Sequence, residues 1–302
     1  MYPYLLMICV VFMYAGNILV GKALNDLPPM TITFIRLAVA FIVLFPIGYR
    51  SVWRNKTVFL ANKMPVFVLA LSGITLFNTS IYGALQFTTS ANVAILESAI
   101  PAVTVILSVL ILKEKVMKVQ WIGVVLSLFG AVWVIIEGKL LQLAALEWNI
   151  GDFIMISAIL SWAVYSLFVK LHMFKFPPYA VVLVITGIGL VLLFPAVVAE
   201  WWMTGVPSFD KPGHFIGLLY LGVFPSFIAL ILYNRAVGLL GASKASIFLN
   251  FLPVVTMAGA ALWLGERITW MHIFGTIIVI SGVLLTTQGG KSIVRKEKVI
   301  PE

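Results

Sequence analysis

Long apolar runs, separated by short groups of charged, proline and glycine residues, follow one another along this sequence. Each run reaches about 18 residues or more, which is enough for an α-helix to cross a bilayer core about 30 Å thick. Only 10% of the residues are Asp, Glu, Lys or Arg, whereas a soluble domain carries about 25% charge. The chain could not cover a folded surface with polar groups, so the sequence predicts an all-α, polytopic membrane protein.

The breaks between the runs divide the chain into ten predicted spans. The first run has no basic segment before it and no clear small-residue cleavage site, so we expect a retained helix rather than a signal peptide. The approximate boundaries are 4–24, 31–50, 65–85, 91–112, 118–137, 150–172, 178–200, 213–235, 242–264 and 270–288.

The 20 lysine and arginine residues predict the orientation, because cytoplasmic connectors are enriched in these residues. With a cytoplasmic N-terminus, fifteen lie in segments on that side, Arg36 lies inside a span, and four lie outside, at Lys22, Lys139, Lys211 and Arg267. We therefore expect both termini to lie in the cytoplasm. The net charge of +9 is then explained by positively charged segments next to a lipid bilayer, and we expect no nucleic-acid partner.

Few residues are available for catalysis or for holding a cofactor. Cys9 is the only cysteine, which excludes an intramolecular disulfide and a multi-cysteine metal site. The three histidines are scattered singly, and the sequence has no phosphate-binding glycine loop, zinc-protease motif or nucleophile elbow. We expect a protein that is not an enzyme and binds no metal or cofactor.

Two distant stretches share proline, threonine and glutamate at the same relative positions. They are PAVTVILSVLILKE at 101–114 and PVVTMAGAALWLGE at 253–266, at an offset of 152. The pattern predicts two copies of a five-span unit, residues 1–138 and 149–288, followed by a basic tail at 289–302. Further matches, at offsets of 148 to 152, are Ala15 with Ala163, Lys22 with Lys170, Pro46 with Pro195, Gly73 with Gly222, Ala84 with Ala236, Gly123 with Gly275, and Gly130 with Gly282.

An odd number of spans in each copy has a consequence for orientation. The second copy must enter the membrane from the opposite face. Inverted repeats are typical of secondary transporters, whose binding site lies near mid-membrane between the repeats. The alternative is a duplicated helical bundle that transports nothing, such as a membrane scaffold.

Three segments resemble parts of the EamA domain. ALQFTTSANVAILESAIPAVTVILSVLILKEKVMKVQWIGVVLSLFG at 84–130 and AVGLLGASKASIFLNFLPVVTMAGAALWLGERITWMHIFGTIIVISG at 236–282 resemble its second half, and MTITFIRLAVAF at 30–41 resembles its second helix. The second copy carries the family's LGE, where the first has Lys113 in place of Gly265. This resemblance covers nearly the whole chain and implies the drug/metabolite transporter superfamily, with ten helices in two inverted repeats around a central cavity. Members move amino acids, metabolites or drugs, often outward across a bacterial inner membrane.

Pro101 and Pro253 predict a bend in spans 4 and 9. Proline cannot donate to the carbonyl four residues earlier, which belongs to Glu97 in one copy and to Leu249, next to Asn250, in the other. Such interrupted helices are tolerated in a bilayer where they are buried or line a wet cavity. We expect spans 4 and 9 to line the transport pathway, with a simple packing kink as the alternative.

Glu97 is the only acidic residue well inside a predicted span. An ionisable group at that depth is a functional-site hypothesis by default. The carboxylate could bind a cationic group of the substrate, carry a proton, form a structural ion pair with Arg36, or face an outer vestibule. Arg36 has Ile185 as its counterpart in the second copy, and we expect its guanidinium to hold the fold by binding helix-end carbonyls.

Polar and aromatic side chains on other spans complete the candidate substrate pathway. A cavity with aromatic walls and a few amides suits small amphipathic solutes. The alternative is an interfacial aromatic belt with ordinary helix-packing polar groups. The candidates are Tyr14, Asn17, Asn78, Tyr82, Trp162, Tyr165, Tyr233 and Asn234.

Six further residues suggest structural roles. Glu114 and Glu266 each end a span, and we expect each carboxylate to hold the tight turn that follows. Small residues seven apart lie on one helix face and let helices approach closely. The glycines that predict such packing of spans 5 and 10 are Gly123, Gly130, Gly275 and Gly282.

Together these features predict a secondary transporter that works by alternating access. The leading hypothesis is export of an amino acid, small metabolite or drug-like solute, with coupling to protons through Glu97 left open. Uptake and uncoupled facilitated diffusion are the alternatives. We expect a monomer or a homodimer in the bacterial cytoplasmic membrane.

Overall fold

The computed structural model of the protein describes residues 2–138, 149–240 and 248–288. Within them all regular elements are helical, which confirms the all-α prediction, and nine helices are long and apolar enough to cross a membrane. A shorter apolar helix lies in predicted span 9, whose first residues fall outside the described part, as does the tail at 289–302. In chain order α1 to α10 are Tyr2–Ala23, Pro29–Arg54, Lys63–Leu85, Ser90–Leu112, Lys118–Ile135, Ile150–Lys175, Pro178–Thr204, Pro212–Tyr233, Leu252–Leu264 and Trp270–Thr287.

The packing of the helices repeats with a shift of five: a contact between two helices recurs between the two helices that lie five positions away in the order of the bundle. α2 packs on α7 and α5 packs on α10, so these two pairs map onto themselves. α3 packs on α6 as α8 packs on α1, and α4 packs on α6 as α9 packs on α1. The fold therefore has two equivalent five-helix repeats, which lie in opposite orientations because five crossings are an odd number.

The contact between α5 and α10 is backbone against backbone. A side chain at Gly123 would meet the carbonyl oxygen of Gly282 at 2.5 Å, and one at Gly275 would meet Val134 at the same distance. Gly130 faces Ile278 and Val279 of α10 in the same way. Glycine is required along this seam because any Cβ would push the helices apart.

Both repeats contain an interruption at equivalent positions. α4 is interrupted by a turn at 98–99, and α9 begins directly after a turn at 250–251. Each turn lies just before the proline of its repeat, Pro101 or Pro253. Proline leaves the carbonyl four residues before it without its usual helical donor. In both repeats this carbonyl lies next to the turn, where the regular helix is interrupted.

A second irregularity is a widened, π-helical turn in α3 and in α8. These segments are Ala70–Leu76 and Phe224–Ile228. Such turns occur frequently at functional sites because they redirect side chains within an otherwise regular helix.

The ends of α4 and α9 both close through a left-handed residue, although α9 ends in a π-helical turn, Ala260–Leu264, and α4 in ordinary α-helix. Lys113 and Gly265 both have left-handed backbone conformations, with φ of 53° and 68°. The main-chain N–H of Glu114 and Glu266 each donates to a carbonyl six residues earlier, at 3.4 and 3.1 Å. Each bond spans one residue more than the usual bond that closes a helix end through a left-handed residue, a position where glycine is preferred. The LGE of the second repeat is explained by this geometry.

Candidate functional site

Arg36 is the centre of a buried polar network. Its Nε donates to the Ser226 hydroxyl at 2.9 Å, and its Nη1 donates to Asn78 Oδ1 at 2.7 Å. Nη1 also donates to the Tyr82 hydroxyl at 2.5 Å, and that hydroxyl donates to Asn17 Oδ1 at 3.0 Å. The network joins α1, α2 and α3 of the first repeat to α8 of the second.

The partners of Arg36 are side-chain oxygens rather than the helix-end carbonyls expected from the sequence. The Ser226 hydroxyl donates to the carbonyl of Leu221 at 2.8 Å, and Asn78 Nδ2 donates to the carbonyl of Ile74 at 2.8 Å. The Leu221 carbonyl lies four residues before Pro225, which has no N–H to donate to it. Both side chains lie in or directly after a widened turn and present their own oxygens to the guanidinium. Sequence reasoning missed Ser226, for which the neighbouring Pro225 is the only signal.

Glu97 ends the first segment of α4, directly before the turn. Its side chain is half-buried, and among the residues the structure describes its carboxylate has neither a hydrogen bond nor an ion pair. Arg36 acts on it electrostatically without forming an ion pair. The structural pair that the sequence suggested is therefore not formed, and the carboxylate is available to another group.

Tyr14 lies on α1, which packs against the first segment of α4, the segment that ends at Glu97. The Tyr14 side chain is half-buried. Tyr165 lies on α6, which packs against α4, and Tyr233 lies on α8, which packs against α1. Four neighbouring helices, α1, α4, α6 and α8, thus contribute these side chains to the candidate site. A carboxylate among phenol rings is suited to a small solute with a cationic group, because aromatic faces attract cations.

The aromatic side of this region lies on α3 and α6. The Trp162 ring lies 4.8 Å from the Tyr165 ring and 4.3 Å from the Phe77 ring, measured between centroids. Gly73 makes room for this group, since a Cβ there would lie 2.5 Å from Cγ of Tyr165. These rings form a packed wall beside the ionisable side chains.

Two predicted site residues are not placed with the others. Asn250 is half-buried in the turn before α9 and makes no hydrogen bond to a described residue. The side chain of Asn234 lies outside the described part of the chain.

Glu114 and Glu266 contact other helices rather than the turns that follow them. Glu266 accepts hydrogen bonds from the main-chain N–H groups of Ser90 and Ala91, at 2.9 and 3.3 Å. Lys170 donates to both oxygens of Glu114, at 2.7 and 2.8 Å. The first N–H groups of a helix have no partner within the helix, so they attract a carboxylate from a distant segment.

A family model decides the identity of the fold. The model for the EamA-like transporter family matches residues 1–136 and again residues 149–288. The chain belongs to this family. The resemblance seen in the sequence is confirmed, and the protein is an integral membrane protein of a transporter family.

Curated relatives agree with the family assignment. This EamA-like transporter is 29% identical to the uncharacterized transporter YyaM of Bacillus subtilis (strain 168) over 224 residues, 74% of this chain and 72% of the relative. It is 27% identical to an uncharacterized transporter of Archaeoglobus fulgidus, which covers 94% of this chain and 96% of that one. A relative in Salmonella typhimurium (strain LT2), described as a probable amino-acid metabolite efflux pump, is 25% identical over 94% of both chains.

The fold also occurs among solved structures. One crystal structure of a protein superposes on the EamA-like transporter with a TM-score of 0.62 at 15% sequence identity, covering 95% of this chain and 96% of that one. At this identity the similarity concerns the fold alone.

Proposed function

We propose that this EamA-like transporter exports an amino acid or a related small amine across the cytoplasmic membrane, with Glu97 binding the amino group or a proton in turn. The observation that carries the proposal is the half-buried Glu97 carboxylate, which has no partner among the described residues and lies at a helix break. A carboxylate that proton and ammonium can occupy only alternately couples the two fluxes. The efflux-pump relative supports the direction and the substrate class.

The orientation and the division into two working halves are part of the same proposal. Both termini lie in the cytoplasm, and residues 1–138 and 149–288 move relative to each other to expose the site alternately to the two faces. The charge asymmetry of the connectors supports this orientation. Impermeant labelling of a single cysteine placed after residue 289 tests it in intact cells.

Glu97→Gln tests the role of the carboxylate. Transport of labelled amino acids is measured in proteoliposomes with and without a pH gradient. Losing a hydrogen bond to a charged partner costs about 1.5–3 kcal/mol, so we expect apparent affinity to fall about 10-fold to 100-fold. Stimulation by the pH gradient should disappear.

Asp210→Asn is the matched control, because Asp210 is exposed in the connector between α7 and α8. It should transport as the wild type does. If Glu97→Gln retained full, pH-dependent transport, Glu97 would have no part in the mechanism. Amino-acid flux by the wild type that ignores the gradient would indicate an uncoupled carrier instead.

A further inference from the structure

An apolar groove of about 520 Å³ lies at the surface between α2 and α7. Residues of α7 between 183 and 192 form one wall, and Phe67 of α3 extends the lining. The opposite wall is a stripe on one face of α2, because its residues are three or four positions apart. They are Phe41, Phe45, Tyr49 and Val52. Among the lining residues only Tyr49 carries a polar side-chain atom, so the groove suits an apolar chain.

The groove is about as long as one leaflet of a bilayer is thick. Phe41 and Val52 are eleven residues apart, which corresponds to about 16 Å of helix. The hydrocarbon core is about 30 Å thick, so one leaflet contributes about 15 Å. Gly187 keeps the groove open, since a Cβ there would lie 3.0 Å from Cε2 of Phe41. An acyl chain in the groove would contact helices on both sides, and so would make more van der Waals contacts than on a convex helix surface.

One end of the groove carries side chains typical of a membrane interface. The rings of Phe45 and Tyr49 stack with their centroids 5.2 Å apart, and Trp53, one helical turn further on, is 65% exposed. The Lys56 ammonium lies 5.0 Å from the centroid of the Trp53 ring. Tyrosine and tryptophan concentrate at the level of the lipid headgroups. An acyl chain in the groove would therefore place its headgroup beside Trp53 and Lys56, at the face that is cytoplasmic in the proposed orientation.

Four exposed cationic residues lie at the end of α2, in the connector that follows it and at the start of α3: Arg50, Arg54, Lys56 and Lys63. No acidic side chain among the described residues forms an ion pair with any of them. Lys63 lies one helical turn before Phe67, so it shares a face of α3 with a residue that lines the groove. The connector is packed onto the fold, because the buried rings of Phe59 and Phe176 stack with their centroids 5.2 Å apart. The four charges are thus positioned at the groove and available to an anion.

We propose that this groove binds one acyl chain of an anionic phospholipid, whose phosphate is held by the cationic residues at the ends of α2 and α3. Clusters of lysine and arginine next to a membrane helix attract anionic lipids, and the groove fixes the chain that belongs to the headgroup. A second copy of the protein fits this surface less well. A symmetric interface brings the same patch of both copies together, so two sets of four positive charges would meet and repel each other.

Native mass spectrometry of the whole protein in detergent tests the site. The protein is titrated with dioleoyl phosphatidylglycerol and, separately, with dioleoyl phosphatidylcholine, which has the same chains but no net charge. Each lysine or arginine near an anionic headgroup strengthens binding about 5-fold. We therefore expect one phosphatidylglycerol to be retained with an affinity at least about 10-fold higher than that of phosphatidylcholine. Equal affinities would overturn the proposal, because the cationic residues would then bind no headgroup.

Lys63→Gln tests the contribution of the charges to this affinity. It should weaken the binding of phosphatidylglycerol about 5-fold and leave that of phosphatidylcholine unchanged. Lys118→Gln is the matched control, because Lys118 is exposed at the start of α5, which packs against α10. This variant should bind phosphatidylglycerol as the wild type does. Equal weakening by the two substitutions would indicate a diffuse attraction to the whole face and would refute the site.

Val184→Trp tests the groove itself, because the larger side chain fills the space between α7 and α2. Binding of phosphatidylglycerol should weaken at least about 10-fold. Val191→Trp, at a lining position that is 73% exposed, serves as a second variant if the first impairs folding. Val198→Trp is the matched control, since Val198 is exposed on the same helix but does not line the groove. Equal loss in the control would place the lipid elsewhere. A lipid-free dimer that Val184→Trp separates would assign the groove to a second copy and refute the lipid.

Discussion

Replacing Gly123 by alanine tests the backbone contact between α5 and α10. The added Cβ would lie 2.5 Å from the carbonyl oxygen of Gly282 and 2.6 Å from the main-chain nitrogen of Thr286. Both atoms are backbone, so the clash is relieved only by moving α10 as a whole. Overpacking costs about 1–3 kcal/mol, and alanine recovers up to about 1 kcal/mol through its helix propensity. We expect a net loss of about 1–2 kcal/mol.

Gly83→Ala in α3 supplies the matched comparison for this experiment. A Cβ at Gly83 meets only Ile154, at 3.6 Å, which is an ordinary contact, so alanine should be neutral or stabilising by up to about 1 kcal/mol. The Gly123→Ala substitution should lower the melting temperature, measured by thermal unfolding in detergent, by about 2–4 °C for each kcal/mol of stability that is lost. Equal melting of the two variants would show that the α5–α10 seam does not require glycine.

Three further predictions concern other parts of the molecule. Arg36→Lys keeps the positive charge, but the lysine side chain cannot reach all three hydrogen-bond partners, so we expect the free energy of unfolding to fall by about 3 kcal/mol. The melting temperature in detergent measures this change, and an unchanged value would contradict the network. Lys113→Gly relieves a left-handed conformation at φ 53° and should stabilise by about 1 kcal/mol, and a lower melting temperature would argue against that strain. Burial raises the pKa of Asp26, but hydrogen bonds from Lys211 and His214 more than offset it and lower the pKa. Because the pKa of Asp26 is lower in the folded state than in the unfolded state, where it is about 3.9, the ionised carboxylate stabilises the fold at pH values above 3.9. This stabilisation is lost as the pH falls through the folded-state pKa. Asp26→Asn should therefore melt below the wild type at pH 7 and converge with it in acid, and a difference independent of pH would count against the interaction.

The fold was largely predictable because each of its determinants is local. Apolar length specifies a membrane helix, and the odd number of spans per repeat specifies inversion. Proline geometry places the irregularities, since the missing N–H of Pro101 acts on a carbonyl a fixed four residues away. These rules need no knowledge of which helices meet.

The parts of the site that the sequence did not reveal depend on which helices meet. Pro225 signals an irregular turn beside Ser226 because it has no N–H, but the bond from Arg36 to Ser226 exists only because α8 packs against α2. In the same way Glu266 was expected to act on its own turn, yet its partners lie in the opposite repeat. Long-range polar pairs of this kind are set by tertiary packing rather than by local spacing.

The contacts that Glu266 and Lys22 make around the start of α4 have an evolutionary consequence. Glu266 and Lys22, which donates to the carbonyls of Leu85 and Thr88, both bind main-chain atoms, which every amino acid provides, except that proline lacks the N–H. Substitutions at positions 85, 90 and 91 can therefore change side-chain chemistry without losing the bond, provided that the new residue has the right size. Substitutions are therefore constrained at Glu266 and Lys22, which bind through their side chains, and tolerated at the residues that bind through main-chain atoms. Because only one side of each contact is constrained, a search for co-varying positions would not detect these contacts.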